Sequence, residues 1–306
     1  MIYGSIANTI VMILWLSYNW NTILACLSYR LSLGMLPKDY YLLLNQLFDI
    51  VKFMPLTFII GTAGSGKSFF TAAFSEWLKM SKQDVAVVNL DPGALKLPYS
   101  PDVDVRNYVD VGDLMEKYGL GPNGALIMAA DLIADQVENL TRDIELVNAD
   151  FVLVDTPGQM ELFAFRASGP YIVNELTREP KTLIYMFDAV FSINPLNYVS
   201  NMFLSAAVYN RFLQSQLHVL SKCDLVPKKD AKAITDWSAN PIALEDAIEA
   251  KLEGTKRVFS RNMMKVINQL GMKFPLMPVS SKTNEGMTNV NTVLERIFMS
   301  GEKYTT

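Results

Sequence analysis

The chain has a single histidine, His218, and only two cysteines, Cys26 and Cys223, among its 306 residues. A structural zinc needs Cys and His in ligand spacing, so none is supported. His218 lies in the apolar run Leu217-His218-Val219-Leu220, where a core imidazole is the better reading. Any hydrolytic chemistry therefore has to proceed without a histidine base. Long basic runs are missing as well, and the net charge is −4, which sets nucleic acid aside as the main ligand. There is no internal repeat and no low-complexity linker. That leaves one large α/β domain or two small ones, with ample apolar residues for a core. So few cysteines suit a reducing compartment.

Charge is missing altogether from residues 1–29, and the run from Ile6 to Leu27 is long enough to span a bilayer. Asn8, Asn19 and Asn21 interrupt it, and no Lys or Arg precedes it, so it lacks the basic start of a signal peptide. Arg30 and Lys38 follow, which would place the carboxyl side in the cytoplasm. Residues 1–53 thus have three readings: a membrane anchor, an apolar arm on the domain, or translated upstream sequence.

What is present is more telling. Gly61-Thr62-Ala63-Gly64-Ser65-Gly66-Lys67-Ser68 fits G-x-x-x-x-G-K-[ST], the phosphate-binding P-loop. Glycines let the backbone curl with its N–H groups inward around a polyphosphate. Lys67 supplies a charge for the β- and γ-phosphates, and Ser68 is placed to ligate Mg²⁺. Leu56-Thr57-Phe58-Ile59-Ile60 reads as a buried strand before the loop. Ser68-Phe69-Phe70-Thr71 opens a helix after it, with Phe69 in the first turn where N–H groups face an anion.

Three later strand ends carry the matching parts. Phe151-Val152-Leu153-Val154 leads to Asp155-Thr156-Pro157-Gly158-Gln159. A carboxylate at that position can hold Mg²⁺, the Gly158 N–H is free to meet the γ-phosphate, and Gln159 can orient the attacking water. Glu161 and the pair Asp102 and Asp104 are alternative orienters or groups outside the Mg²⁺ ligands, and Asp102 and Asp104 also read as solvated loop carboxylates. Leu217 to Leu220 leads to Ser221-Lys222-Cys223-Asp224, close to the [NT]-K-x-D turn of GTPases. There the Asp accepts from guanine N1–H and its exocyclic amine, which adenine cannot match, and the Lys stem packs on the ring. Ser221 departs from Asn or Thr but keeps a hydroxyl. Leu276-Met277-Pro278-Val279 leads to Ser280-Ser281-Lys282, where GTPases contact guanine O6 through backbone N–H groups. Strand ends on one edge of a parallel sheet converge on one crevice.

Between these lie Asn89-Leu90-Asp91-Pro92 and Gly119-Leu120-Gly121-Pro122-Asn123-Gly124. With the motifs above, this combination resembles the GPN-loop GTPases over roughly residues 54 to 300. The resemblance implies a SIMIBI-class P-loop fold, a mostly parallel sheet with helices on both faces, GTP and GDP as ligands, and Mg²⁺ held by Ser68, Asp91 and Asp155. It further implies a nucleotide-dependent homodimer in which Gly121, Pro122 and Asn123 act in trans. Eukaryotic members assist RNA polymerase subunits, so a protein client is expected; the short tail is nearer the compact archaeal form. The P-loop lacks the extra leading Lys of several SIMIBI ATPases, which leaves Asn123 as the trans group. Gly93 stands where relatives commonly have Ala. Members begin near the position of Met54, which favours translated upstream sequence for residues 1–53 and a GTPase domain over 54–306. The competing function is a P-loop kinase or phosphotransferase acting on a small hydroxyl substrate.

Strands are expected near 55–60, 84–89, 150–155, 182–188, 216–221 and 274–279, alternating with helical stretches at 129–147 and 199–212. Residues 228–270 read as a helical insertion, and Met263, Met264 and Met272 as core filler.

Overall fold

The computed structural model describes residues 54–251, 253–269 and 275–300. The readings of residues 1–53, Cys26, Met272 and the tail past 300 lie outside them. Seven strands form one all-parallel sheet in the order β3-β2-β4-β1-β5-β6-β7. They are β1 Leu56–Gly61, β2 Val85–Asn89, β3 Val103–Asp104, β4 Phe151–Asp155, β5 Lys181–Asp188, β6 Ser215–Ser221 and β7 Leu276–Pro278. The P-loop strand β1 is central, paired with β4 on one side and β5 on the other.

Side chains alternate between two covered faces, which is why these strands read as continuous apolar runs. Ile59, Leu153, Ile184, Met186 and Val219 pack with Phe70, Phe74 and Leu78 of helix α1 (Lys67–Met80). The last described helix, Met287–Ser300, joins the same layer through Val290 and Leu294. Phe58, Ile60, Val152, Val154, Leu183, Tyr185 and Phe187 point to the opposite core, covered by the remaining helices.

In that second layer, α2 (Val111–Tyr118), α3 (Pro122–Asp135) and α4 (Val137–Val147) follow β3. The helical pattern expected at 129–147 is two helices, not one. Gln136 (φ −97°, ψ 4°) ends α3 and starts α4, and its Oε1 accepts from Asn139 Nδ2 at 2.9 Å. Both helices bury apolar residues in one core, so the spacing runs across the break unseen. Short α5 (Met160–Phe163) and α6 (Ser168–Glu175) follow β4. Then come α7 (Ala189–Ser192) and α8 (Pro195–Phe212) after β5.

The insertion between β6 and β7 is helical as expected: α9 (Lys228–Ala239), α10 (Pro241–Lys251) and α11 (Gly254–Gln269). Ile234, Trp237, Leu244, Ile248 and Met264 belong to the same core as the sheet. The final helix is therefore α12. Among the described residues no helix is long and apolar enough to cross a membrane.

Candidate functional site

Every candidate loop leaves the carboxyl edge of the sheet: Gly61 ends β1, Asp155 ends β4, Ser221 ends β6, and Asp91 and Ser280 lie just past β2 and β7. The P-loop takes its shape from its glycines. Gly64 and Gly66 have φ of +76° and +93°, and a Cβ on Gly61 would meet Ser65 Oγ at 2.8 Å and Met186 at 3.0 Å. Gly66 caps α1, whose first helical bond runs from the Phe70 N–H to the Gly66 carbonyl. The N–H groups of Lys67, Ser68 and Phe69 therefore precede the helical ladder and stand ready for an anion. The Phe69 side chain itself faces outward, 70% exposed.

Lys67 is buried and donates to the carbonyls of Gly61 at 2.9 Å, Thr62 at 3.0 Å and Gly158 at 3.4 Å. Burial holds its ammonium below the usual lysine range, opposed by Asp155 and Asp91. Asp155 is fully buried, and burial pushes its carboxyl up to about 6, opposed by the neighbouring Ser68 and Tyr99 hydroxyls and the charge of Lys67. Its Oδ2 accepts from the Tyr99 hydroxyl at 2.7 Å, while Oδ1 has no partner.

Asp91 alters one expectation. Its Oδ2 accepts from the Gly158 N–H at 3.0 Å, and its Oδ1 from the Gly93 N–H at 2.9 Å. The Gly158 N–H is thus engaged, because two strand-end loops meet there and a carboxylate is the strongest acceptor at hand. Asp104 and Asp102 are engaged as well. Asp104 pairs with Arg106 at 2.5 Å and accepts from Asn89 Nδ2 at 2.9 Å, while Asp102 Oδ2 accepts from the Val87 N–H at 2.8 Å. Both carboxylates fasten the β2–β3 connection, Asp102 from an exposed position and Asp104 from a half-buried one. Gln159 and Glu161 are exposed at the start of α5.

On the other side of the P-loop, Ser221 Oγ reaches the Ser65 carbonyl. Lys222 Nζ donates to the Gly64 carbonyl and pairs with Asp188 Oδ2 at 2.7 Å. Asp188 Oδ1 meanwhile caps α7 through the Val190 and Phe191 N–H groups. Ser280 Oγ donates to Asp224 Oδ1 at 2.8 Å, joining the two strand-end turns that the sequence singled out; Ser281 is half-buried and Lys282 exposed.

Gly121-Pro122-Asn123 is the opening turn of α3 and not a free loop. Pro122 takes the first helical position, where its fixed φ suits and no N–H is needed. Asn123 is exposed there. One turn on, Leu126 lines a cavity of about 170 Å³ together with Ala130, Leu162, Asp91, Gly158 and Gln159. That cavity adjoins the Asp91–Gly158 contact.

Sequence reasoning missed Tyr99 and Asp188, and it quoted Asn89 within a motif without giving its side chain a role. Asp188 ends an apolar strand, the same signal that marked Asp155. Nothing in the spacing around Tyr99 marks it.

A family described as "Conserved hypothetical ATP binding protein" matches residues 59–300. The GPN-loop GTPase of Pyrococcus abyssi is 30% identical over 239 residues, covering 76% of this chain and 93% of its own. The crystal structure of that GTPase in apo form aligns with a TM-score of 0.69 at 29% identity, covering 78% of this chain and 95% of the other. GPN-loop GTPase 1 of Saccharomyces cerevisiae is 29% identical over 238 residues, 74% of this chain. The chain spans 61% of that yeast protein and 48% of GPN-loop GTPase 1 of Dictyostelium discoideum.

Proposed function

The chain belongs to the GPN-loop GTPase family, and from that premise we propose that it binds GTP and GDP and hydrolyses GTP as a homodimeric switch acting on a protein client. The observation that carries the reading is the direct attachment of the Ser221-Lys222-Cys223-Asp224 turn to the P-loop, through Ser221 on Ser65 and Lys222 on Gly64. A base held by Asp224 and a polyphosphate held by residues 61–69 then share one crevice. Asp224 accepts from the guanine N1–H and amine, with Ser280 Oγ steadying its other side. That preference for guanine sets this chain apart from the ATP-binding description of the matched family. The N–H groups at Ser281 and Lys282 would serve guanine O6.

The fit to Mg²⁺ rests on a buried carboxylate oxygen without a partner, Asp155 Oδ1, in a site where the start of α1 supplies the Ser68 hydroxyl. Ser68, Asp155 and Asp91 would hold the ion, which when bound neutralises charge on the β- and γ-phosphate oxygens. Hydrolysis forms a bond from water oxygen to the γ-phosphorus. The bond from that phosphorus to the bridging oxygen breaks, its electron pair leaves on GDP, and the proton lost by the water passes to a phosphate oxygen. Lys67 offsets the charge that develops on the phosphates. The Gly158 N–H reaches a γ-oxygen once Asp91 releases it. Gln159 orients the water, since its amide is exposed beside the cavity and is not committed to capping α5. Asn123, on the outer turn of α3, serves the facing subunit's phosphates.

The test is size analysis of the purified chain with GDP and with a non-hydrolysable GTP analogue, alongside measurement of orthophosphate release from GTP. A dimer that changes shape or population between the two ligands, with Mg²⁺-dependent release, is expected. A nucleotide-indifferent monomer without phosphate release would overturn the proposal.

A further inference from the structure

We propose that the Tyr99 hydroxyl is a positioning group for the metal-binding carboxylate, fixing which oxygen of Asp155 is presented to Mg²⁺. The inference rests on the nucleotide and Mg²⁺ reading above. Tyr99 comes from residues 90–102, the connection between β2 and β3, and donates to Asp155 Oδ2 at 2.7 Å. Asp155 is fully buried, with Oδ1 unpartnered. Its two oxygens are therefore unequal: one is held by a hydroxyl donor, and the other is left open to a cation. Outer groups that donate to a ligating carboxylate fix its orientation, and their loss weakens metal binding.

The phenol suits this task. A phenol hydroxyl has one proton to donate, and a carboxylate oxygen is its natural acceptor. Nor is Tyr99 the fastener of its own segment. Asp91 Oδ2 is bonded to the Gly158 N–H, and Arg106 donates to the Ala94 carbonyl at 2.7 Å while pairing with Asp104. Removing one oxygen from Tyr99 leaves those ties in place. The effect should therefore appear at the metal and not in folding.

The experiment compares the full chain with Tyr99→Phe. A fluorescent GDP analogue is titrated in EDTA and across a MgCl₂ series, and melting is recorded without nucleotide. The Mg²⁺ concentration giving half of its effect on GDP affinity should rise about 10- to 100-fold. Affinity in EDTA and the melting temperature should stay as they were. In an Asp155→Asn background, Tyr99→Phe should add nothing further. An unchanged Mg²⁺ requirement with lowered melting would make Tyr99 a loop fastener and overturn the proposal. A reduced requirement would overturn it differently, making the hydroxyl a competitor of the metal. If the unaltered chain binds no GDP with or without Mg²⁺, the nucleotide reading itself fails and this inference falls with it.

Discussion

Ser221 Oγ lies 2.7 Å from the carbonyl oxygen of Ser65, so the turn proposed to read the base is hydrogen-bonded to the loop proposed to hold the phosphates. The same hydroxyl is 3.0 Å from the Phe187 carbonyl at the end of β5. The P-loop and the ends of β5 and β6 meet at one buried side chain.

Ser221→Ala leaves two buried carbonyls without that donor. It should destabilise the fold by about 1–3 kcal/mol and weaken nucleotide binding in parallel. Ser221→Thr keeps the hydroxyl and should recover most of the affinity. Urea unfolding together with GDP binding checks both; an alanine variant with unaltered affinity would show that the tie does not shape the site.

His218 gives a pH signature. It is buried against Phe187, accepts at Nε2 from Gln216 Nε2 at 3.1 Å, and burial lowers its pKa to about 3 from an ordinary 6.5. The folded chain resists a proton that the unfolded chain takes up. This contribution to stability is therefore complete above pH 6.5 and is lost as pH falls from 6.5 towards 3, by at most about 1.4 kcal/mol per unit. His218→Leu should lose less stability than the unaltered chain between pH 7.5 and 5, by about 2 kcal/mol in urea unfolding. Equal losses would contradict the assignment.

Much of this architecture could be read from the chain because its signals are local. Six strands stand out as apolar runs, and the phosphate, Mg²⁺ and base motifs lie at their carboxyl ends, where a parallel sheet has to gather them. The seventh strand, Val103–Asp104, is too short to show a period. The break at Gln136 is invisible because the helices on either side face one core. Tyr99 was out of reach for a different reason: its partner Asp155 lies fifty-six positions away, and only the fold brings them together. The Asp91–Gly158 contact is of the same kind, a meeting of two loops from neighbouring strands.

Asn123→Ala should lower GTP turnover about 10²- to 10³-fold while leaving GTP affinity nearly unchanged, because ground-state phosphate binding rests on residues 61–69. The proposed trans role makes a sharper demand. Mixing Asn123→Ala with Lys67→Ala should restore part of the activity, since one site in each mixed dimer has an intact P-loop and an intact facing Asn123. Orthophosphate release from the mixture, with heterodimers verified by tagging, decides the matter. Inactive heterodimers would place Asn123 in its own subunit's site or make it a shaper of α3.

The central claim is that this crevice selects guanine through Asp224, and competition binding tests it most directly. GTP, ATP and XTP are titrated against a bound fluorescent GDP analogue, for the unaltered chain and for Asp224→Asn. Charge-assisted hydrogen bonds contribute about 1.5–3 kcal/mol each, so GTP should be preferred over ATP by at least about 100-fold. Asp224→Asn should abolish that preference and gain affinity for XTP. Equal affinity of the unaltered chain for ATP and GTP would contradict the account.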